Sequence, residues 1–187
     1  AFLETLYQPA EWLFCGKRYS KGVPKADLDT CSEWAELIGN GKLTAPELLC
    51  CNPLTGVEGM NKDGKPSYRC AACVTEYRYT LLEFDAMPLN NQMEFWSGVI
   101  KTKTLPMKSL VYSGGKSIHG LIELSAKDMQ QWNTDIEKLH FATCNRKALR
   151  EHQADRACHN PDRLTRLAGA KRSDTKRHQS LLWLDWL

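Results

Sequence analysis

Long apolar runs are missing from this sequence, and we expect no secretory leader. The longest apolar stretches, LLCC at 48–51 and LLWL at 181–184, fall far short of the roughly 20 residues that a membrane-spanning helix needs. The first residues, AFLETLYQPAEWLF, contain neither a basic segment nor a small-residue cleavage site. We therefore expect a cytoplasmic protein with no membrane partner. The initial Ala and the abrupt apolar end suggest a fragment of a longer protein.

Internal repeats and low-complexity segments are also missing. Hydrophobic residues make up 42% of the 187 positions and charged residues 25%, which is the composition of an ordinary globular domain. A chain of this length can bury a core of its own. This composition excludes a disordered or collagen-like protein.

A second Cys-x-x-Cys pair, which a structural zinc ribbon would need, is absent. Cys70 and Cys73 have the spacing of one zinc knuckle, but the adjacent Cys50 and Cys51 cannot readily supply the other. The eight cysteines form no spaced disulfide framework, and a chain of this length needs none. Buried thiols in a reduced compartment are the favoured interpretation, and a structural zinc is not expected. A second group fits no familiar ligand spacing: Cys144, His152, Cys158 and His159.

Positive charge is concentrated at the end of the chain. Residues 141–187 hold ten of the 25 Lys and Arg but only five of the 22 Asp and Glu. Such a segment either forms a solvated basic face or neutralises the phosphates of a nucleic acid. The residues that we expect to contact a template are Arg146, Lys147, Arg150, Lys171, Lys176 and Arg177.

Hydrophobic alternation and cap residues predict a mixed α/β (α+β) fold. Thr30 is placed to cap a helix that ends at Gly39 or Gly41, and Ser125 with Asp128 resembles a capping box for a helix toward residue 139. Other helices are predicted at 2–8 and 91–100. Strands are predicted at 12–15, 48–51, 77–85, 110–113, 118–124 and 180–184, with a loop at 52–67 and a hairpin between 110 and 124.

An acidic pair ends the strand predicted at 77–85. Side chains alternate along a strand, so Glu83 and Asp85 should share one face while Phe84 points into the core. Two carboxylates so close repel one another unless a cation or a proton lies between them, and Mg²⁺ or Mn²⁺ prefers such oxygen ligands. A solvated strand edge is the alternative.

A glycine turn, SGGKSIHG at 113–120, lies between two predicted strands. Its two glycines allow backbone N–H groups to face an anion, and Lys116, Ser117 and His119 add a charge and further donors. A Walker A loop would need glycine six residues before the lysine, where Leu110 stands, and a helix afterwards. The turn is therefore predicted to bind phosphate without being an ATPase loop, and an ordinary hairpin turn is the alternative.

The third motif is DRACHNPDRLTRLAGAKR at 155–172. A helical turn would place Arg163 and Arg166 side by side, and Arg172 follows a glycine-containing bend. If Asp155 reached Glu83 and Asp85, the three carboxylates would complete a metal site. The arginines could then grip a triphosphate beside it.

In this order, the three motifs resemble the archaeo-eukaryotic primase superfamily and are most similar to the primase-polymerases of phages, plasmids and other mobile bacterial elements. The resemblance runs from about residue 45 to the end. It implies an RRM-like catalytic module at 76–187 beside an N-terminal α/β module at 1–75. The sequence departs from the family at Glu83, where the first motif usually begins with Asp, and at Ala168, where proline commonly precedes the glycine.

The resemblance implies a DNA primase and polymerase that transfers nucleotides to a template-directed chain with two Mg²⁺ or Mn²⁺ ions. Its expected partners are a single-stranded DNA template, nucleoside triphosphates, and a helicase or C-terminal helical domain of the longer protein. The implied catalytic metal ligands are Glu83, Asp85 and Asp155. The implied nucleotide-binding residues are Ser113, Lys116, Ser117, His119, Arg163, Arg166 and Arg172.

Two functions from other classes stay open. A catalytically silent module that binds single strands or a replication origin would keep the basic segment but would not need three carboxylates near a triphosphate. A metal-dependent nuclease would use clustered acids but would not need the glycine turn. No His-hydrophobic-His pair is present, which disfavours a rolling-circle relaxase.

Overall fold

The computed structural model describes residues 1–19, 22–144 and 154–186. Its helices are α1 (Phe2–Leu6), α2 (Cys31–Gly39), α3 (Leu89–Thr102) and α4 (Met129–Cys144). Its strands are β1 (Trp12–Gly16), β2 (Leu28–Thr30), β3 (Leu48–Cys50), β4 (Gly59–Met60), β5 (Pro66–Ser67), β6 (Tyr77–Leu82), β7 (Met107–Tyr112), β8 (Ile118–Ala126), β9 (Leu164–Arg166) and β10 (Ser180–Leu184). Short 3₁₀ turns lie at Lys25–Asp27, Ala71–Cys73 and Arg156–His159. The predicted mixture of helices and strands is confirmed. Within these ranges, no helix has the length and apolar character needed to cross a bilayer.

The N-terminal caps of α2 and α4 show where local sequence signals predicted the start of a helix correctly and where they did not. The Thr30 side chain accepts a hydrogen bond from the Glu33 N–H, and Glu33 reaches back to the Thr30 N–H, so the predicted cap of α2 is confirmed. The predicted capping role of Ser125 is wrong. β8 continues through Ala126, and Asp128 accepts the Gln131 N–H at 2.8 Å at the start of α4. Strand pairing with β6 extends β8 past the residue that local sequence favoured as a cap.

Two four-stranded antiparallel sheets form the framework. The first has the order β2-β1-β3-β9, and the second has the order β10-β7-β8-β6. β7 and β8 form the predicted hairpin around residues 113–117. β9 comes from the last quarter of the chain but pairs with β3, so the two sheets do not divide the chain at one point near residue 75. The loop predicted at 52–67 contains the two short strands β4 and β5.

The hydrophobic core is continuous between the two sheets. One cluster joins Leu13 and Leu49 of the first sheet to Leu81 and Leu121 of the second. A second cluster packs α3 on the other side of the second sheet, where the Trp96 ring covers Gly120. A Cβ at Gly120 would lie 2.3 Å from that ring, so only glycine permits this approach. Burial on both faces fixes the second sheet between the first sheet and α3.

A buried amide ties the end of the chain to β6. Asn52 is fully buried and receives the N–H groups of Arg78 and Tyr79 at 2.8 and 2.7 Å. Its own amide donates to the carbonyls of Tyr79 and Pro161, both at 2.8 Å. All four hydrogen-bonding positions of the side chain are therefore used. Asn52 connects the strand that precedes Glu83 to the loop that follows Asp155.

Asn52→Ala should lower the free energy of unfolding by about 3 kcal/mol, because it leaves several buried backbone groups without partners. Urea unfolding followed by circular dichroism measures the change. Asn61→Ala is the matched control: Asn61 also accepts two backbone N–H groups, from Asp63 and Lys65, but in an exposed turn. A loss no larger at Asn52 than at Asn61 would contradict this assignment.

Candidate active site

The carboxylate of Glu83 lies at the centre of the site. β6 ends at Leu82, and Glu83 follows directly with only 8% of its surface exposed. Its Oε2 lies 3.0 Å from His119 Nε2 and accepts the Ser117 hydroxyl at 3.3 Å. Its Oε1 accepts the Cys158 thiol at 3.4 Å and lies 3.8 Å from the Arg163 guanidinium. Four side chains from distant parts of the sequence thus converge on one buried charge.

The surroundings of Glu83 keep it ionised. Burial raises the pKa of this carboxyl group, but the hydrogen bond and charge of His119, the Cys158 thiol and the Arg163 guanidinium outweigh burial and lower the pKa to about 2. A buried carboxylate with this many donors is stable only while those donors remain in place.

Asp155 is the second carboxylate of the site. Its backbone N–H donates to the Glu83 carbonyl at 2.9 Å, which places the two residues side by side. Its Oδ1 accepts the Ala157 N–H at 2.9 Å and caps the short 3₁₀ turn that follows. Its Oδ2 lies 3.4 Å from Arg163 Nη2. The structure therefore brings together two of the three predicted metal ligands, which the sequence separates by more than seventy positions.

Asp85, the third predicted ligand, lies apart from this pair. Its side chain is 53% exposed, and its carboxylate lies 3.7 Å from the Lys116 ammonium. Phe84, which lies between Glu83 and Asp85 in the chain, is fully buried, as alternation predicted. The strand ends at Leu82, however, so regular alternation does not extend to Asp85. Asp85 is therefore not part of the cluster of potential metal ligands that Glu83 and Asp155 form within the described ranges.

Cys158 takes a place that the sequence did not assign to it. Within the described ranges, Glu83, Asp155 and Cys158 form the one cluster of three potential metal ligands, with their ligand atoms within 4.8 Å of one another. Burial, and then the charge of Glu83, raises the pKa of the thiol, so the sulfur carries its proton and donates it. Its position three residues after Asp155 in a helical turn was the signal that could have identified it.

The glycine turn folds as a tight connection between β7 and β8. The Ser113 N–H donates to the Ser117 carbonyl at 2.9 Å, and the Ser113 hydroxyl accepts the Ser117 N–H at 3.2 Å. Gly114 has φ of +70°, a conformation that favours glycine. A strand follows the turn, so the exclusion of a Walker A loop is confirmed. Ser113 shapes the turn, while Ser117 and His119 reach Glu83.

The predicted arginines separate into three places. Arg163 contacts Glu83 and Asp155, whereas Arg166 lies 3.5 Å from Glu47 and 3.3 Å from the Gln179 side-chain oxygen. The expected side-by-side arrangement of Arg163 and Arg166 is wrong, because residues 164–166 form β9 and not a helical turn. In a strand, residues three apart point to opposite faces.

Arg172 lies against the glycine turn. Its Nη1 donates to the Ser113 carbonyl at 3.4 Å, and its other guanidinium nitrogens pair with Asp174. A Cβ at Gly115 would lie 2.6 Å from Arg172 Nη1, so this glycine leaves room for the guanidinium. Arg172 thus supports the turn from outside.

Gln92 is a residue of the site that sequence reasoning missed. Its fully buried side chain donates to the carbonyls of Phe84, Met87 and Lys116 at 2.7–3.1 Å. Its oxygen accepts the Ile118 N–H at 2.7 Å. One amide from α3 therefore fixes the segment that carries Asp85 and the turn that carries Lys116. A polar residue on the buried face of a helix was the available signal.

Of the six basic residues predicted to contact a template, three lie within the described part of the chain and three lie outside it. Arg146, Lys147 and Arg150 lie outside the described residues. Lys171, Lys176 and Arg177 are exposed on the turn between β9 and β10, which we call the basic turn (171–178). The Thr175 hydroxyl donates to the Gly114 carbonyl at 2.8 Å and holds the basic turn beside the glycine turn.

The low pKa of Glu83 predicts a measurable loss of stability in acid. Since the folded pKa of about 2 lies below the usual 4.5, Glu83 stabilises the fold above pH 4.5 and loses this effect as pH falls toward 2. The parent should lose about 3 kcal/mol more over this interval than Glu83→Gln does. Urea unfolding at pH 2.5, 4.5 and 7 measures the difference.

The exposed Glu94→Gln is the control for the acid titration and should follow the parent. Parallel stability curves for the parent and Glu83→Gln between pH 4.5 and 2 would show that the carboxylate is not held by its partners.

No protein-family model matches the chain, and no curated protein matches it. Among solved structures, the chain is similar to the AEP domain of the cyanophage S-2L primase-polymerase, with a TM-score of 0.57 and 16% sequence identity. The similarity covers 99% of this chain and 88% of that one. At this identity the similarity concerns the fold alone. The chain therefore has the same fold as that domain, and this is the fold that the resemblance of its three motifs implied.

Proposed function

We propose that this chain is a DNA primase and polymerase domain that performs template-directed, metal-dependent nucleotidyl transfer in the replication of a phage or other mobile element. The observation that carries the proposal is the convergence of Glu83 and Asp155 with the glycine turn and Arg163. Acids that suit a divalent ion thus lie next to cations and hydroxyl groups that suit a triphosphate. The similarity in fold to a primase-polymerase domain supports the same conclusion.

The donor set of the site fits a divalent metal ion. Glu83 and Asp155 offer carboxylate oxygens, the ligands that Mg²⁺ and Mn²⁺ prefer, and Glu83 is already ionised at neutral pH. We propose Glu83 and Asp155 as ligands, with Asp85 joining them after it releases Lys116. When bound, two such ions would supply the charge that activates the 3′-hydroxyl and stabilises the departing pyrophosphate.

The triphosphate is proposed to lie against the glycine turn. Lys116 is 73% exposed and is therefore free to exchange Asp85 for a phosphate. Ser117, just before β8, and His119, within β8, contact Glu83. Arg163 would bind phosphate oxygens through its paired N–H groups. Ser113 and Arg172 would act by shaping the turn. Arg166 pairs with Glu47, and it would attract the triphosphate by its charge without direct contact.

The template is proposed to be single-stranded DNA that follows the basic turn. Lys171, Lys176 and Arg177 are exposed there, beside the glycine turn. Arg146, Lys147 and Arg150 are also proposed to contact the template phosphates. The domain would act in the cytoplasm as part of a longer replication protein that also carries a helicase or a helical domain.

Removing either central carboxylate should abolish nucleotide incorporation. Glu83→Gln and Asp155→Asn remove one negative metal ligand each with little change in volume, and we expect activity to fall by at least about a hundredfold. Asp85→Asn should also lose most activity if Asp85 joins the metal site. Primer extension on a single-stranded template with labelled nucleotides and Mn²⁺ measures the effect.

Glu58→Gln, on an exposed loop, is the control for the extension assay and should extend the primer as the parent does. Full extension by Asp155→Asn would contradict the catalytic assignment. Shortened products would indicate a nuclease. Strand binding without any incorporation by the parent would indicate a silent binding module.

Binding to single-stranded DNA should weaken steeply with salt because the proposed contacts are to phosphates. Each neutralised phosphate of a single strand contributes about 0.7 to the slope of log K against log salt. Replacing Lys171, Lys176 and Arg177 with Gln should therefore reduce this slope by roughly 2. Fluorescence anisotropy with a labelled oligonucleotide at several salt concentrations gives the slopes.

A matched triple variant removes the same charge elsewhere: Lys101, Lys103 and Lys127 to Gln, all exposed on other elements. It should keep the parent slope. Equal slopes for the two triple variants would show that the basic turn is not the binding surface.

A further inference from the structure

The Arg163 guanidinium occupies the gap between the two central carboxylates. Its Nη2 lies 3.4 Å from Asp155 Oδ2 and 3.8 Å from Glu83 Oε1. The potential ligand atoms of Glu83 and Asp155 lie within 4.8 Å of each other. A cationic nitrogen within 4 Å of both carboxylates is therefore close enough to compete with a metal ion that they would share.

A metal ion and this guanidinium compete for the same carboxylates. Both carry positive charge, and two cations within a few ångströms of one another in a half-buried site repel strongly. The Arg163 side chain is 25% exposed and that of Glu83 is 10% exposed, so water screens this repulsion only in part. A divalent ion can therefore bind both carboxylates well only after the guanidinium has moved.

The chain allows the side chain to move without its backbone. The Arg163 N–H donates to the Asn160 carbonyl at 3.1 Å, and the Arg163 carbonyl accepts the Cys51 N–H at 2.9 Å. These bonds anchor the residue at the start of β9. Among the described residues, the guanidinium pairs with Asp155 at 3.4 Å and Glu83 at 3.8 Å, distances longer than those of well-formed charge-assisted hydrogen bonds. The guanidinium can therefore change partners while the Arg163 backbone stays in place.

We propose that Arg163 is a built-in counter-cation that fills the metal site and leaves it when a triphosphate offers stronger anionic partners. This inference rests on the proposed function, because the triphosphate is the substrate proposed above. Metal and triphosphate then promote one another's binding, since each stabilises the arrangement with the guanidinium turned away from the carboxylates. Arg163 thereby limits metal loading in the absence of nucleotide.

The decisive experiment measures Mn²⁺ binding to the whole chain without nucleotide, by electron paramagnetic resonance of free Mn²⁺. Arg163→Gln should bind Mn²⁺ about tenfold more tightly than the parent, because the competing cation is gone. Arg156→Gln is the matched control. It removes the same charge one residue from Asp155, but Arg156 is exposed, so Mn²⁺ affinity should stay within about twofold of the parent.

A second measurement tests whether Arg163 also binds the triphosphate. With EDTA present, a fluorescent nucleoside triphosphate should bind Arg163→Gln about tenfold more weakly than the parent, since a phosphate partner is lost. One substitution thus has opposite effects on metal and on nucleotide. A residue that only supports the fold would not produce this pair of results.

The result that overturns the proposal is an Mn²⁺ affinity of Arg163→Gln equal to or below that of the parent, or an equal gain in Arg156→Gln. Circular dichroism shows whether Arg163→Gln is folded. If it is not, Arg163→Lys replaces it. Lysine keeps the positive charge, but its side chain is one bond shorter than the path to Arg163 Nη2, so the ammonium stays farther from the carboxylates. A gain of about threefold is expected, and no gain overturns the proposal. Failure of the parent to extend a primer would refute the proposed function, whereas the Mn²⁺ comparison needs no catalysis.

Discussion

The structure of the site depends on keeping one buried carboxylate charged. Glu83 lies almost out of water, where an isolated negative charge is too costly to maintain. Its stability therefore requires donors from the glycine turn, from the turn after Asp155 and from the residue before β9. These segments are far apart in the sequence and close together only in the folded chain. The charge of Glu83 is thus the constraint that fixes the relative positions of the three motifs.

Buried side-chain amides hold the segments that carry those donors. Asn52 joins β6 to the loop after Asp155, and Gln92 joins the segment after Glu83 to the glycine turn. Gln179 does the same on the first sheet, where it donates to the carbonyls of Glu47 and Leu167. An amide both donates and accepts, so one side chain satisfies backbone groups from two loops that have no strand partner.

The carboxylates of the site already have partners before any substrate arrives. Asp85 faces Lys116, Glu83 faces His119, and Arg163 lies between Glu83 and Asp155. Such pairing reduces the repulsion that clustered acids would otherwise suffer. The same pairs must open for the proposed chemistry, because each involves a group that would bind metal or phosphate. The Lys116–Asp85 pair is the weakest of the three, since it is exposed and solvent screens its charges.

The sequence by itself determined the features that depend on near neighbours. The cap at Thr30, the β7–β8 hairpin, the buried Phe84 and the strand that follows the glycine turn depend on local geometry and were predicted correctly. The three motifs in their order also predicted the fold. Tertiary structure alone decided the rest. It ended β6 before Glu83, drew residues 164–166 into a strand beside β3, separated Asp85 from the other acids and brought Cys158 to them. Strand pairing and the burial of a charge are free energies shared by distant residues, so no local pattern contains them.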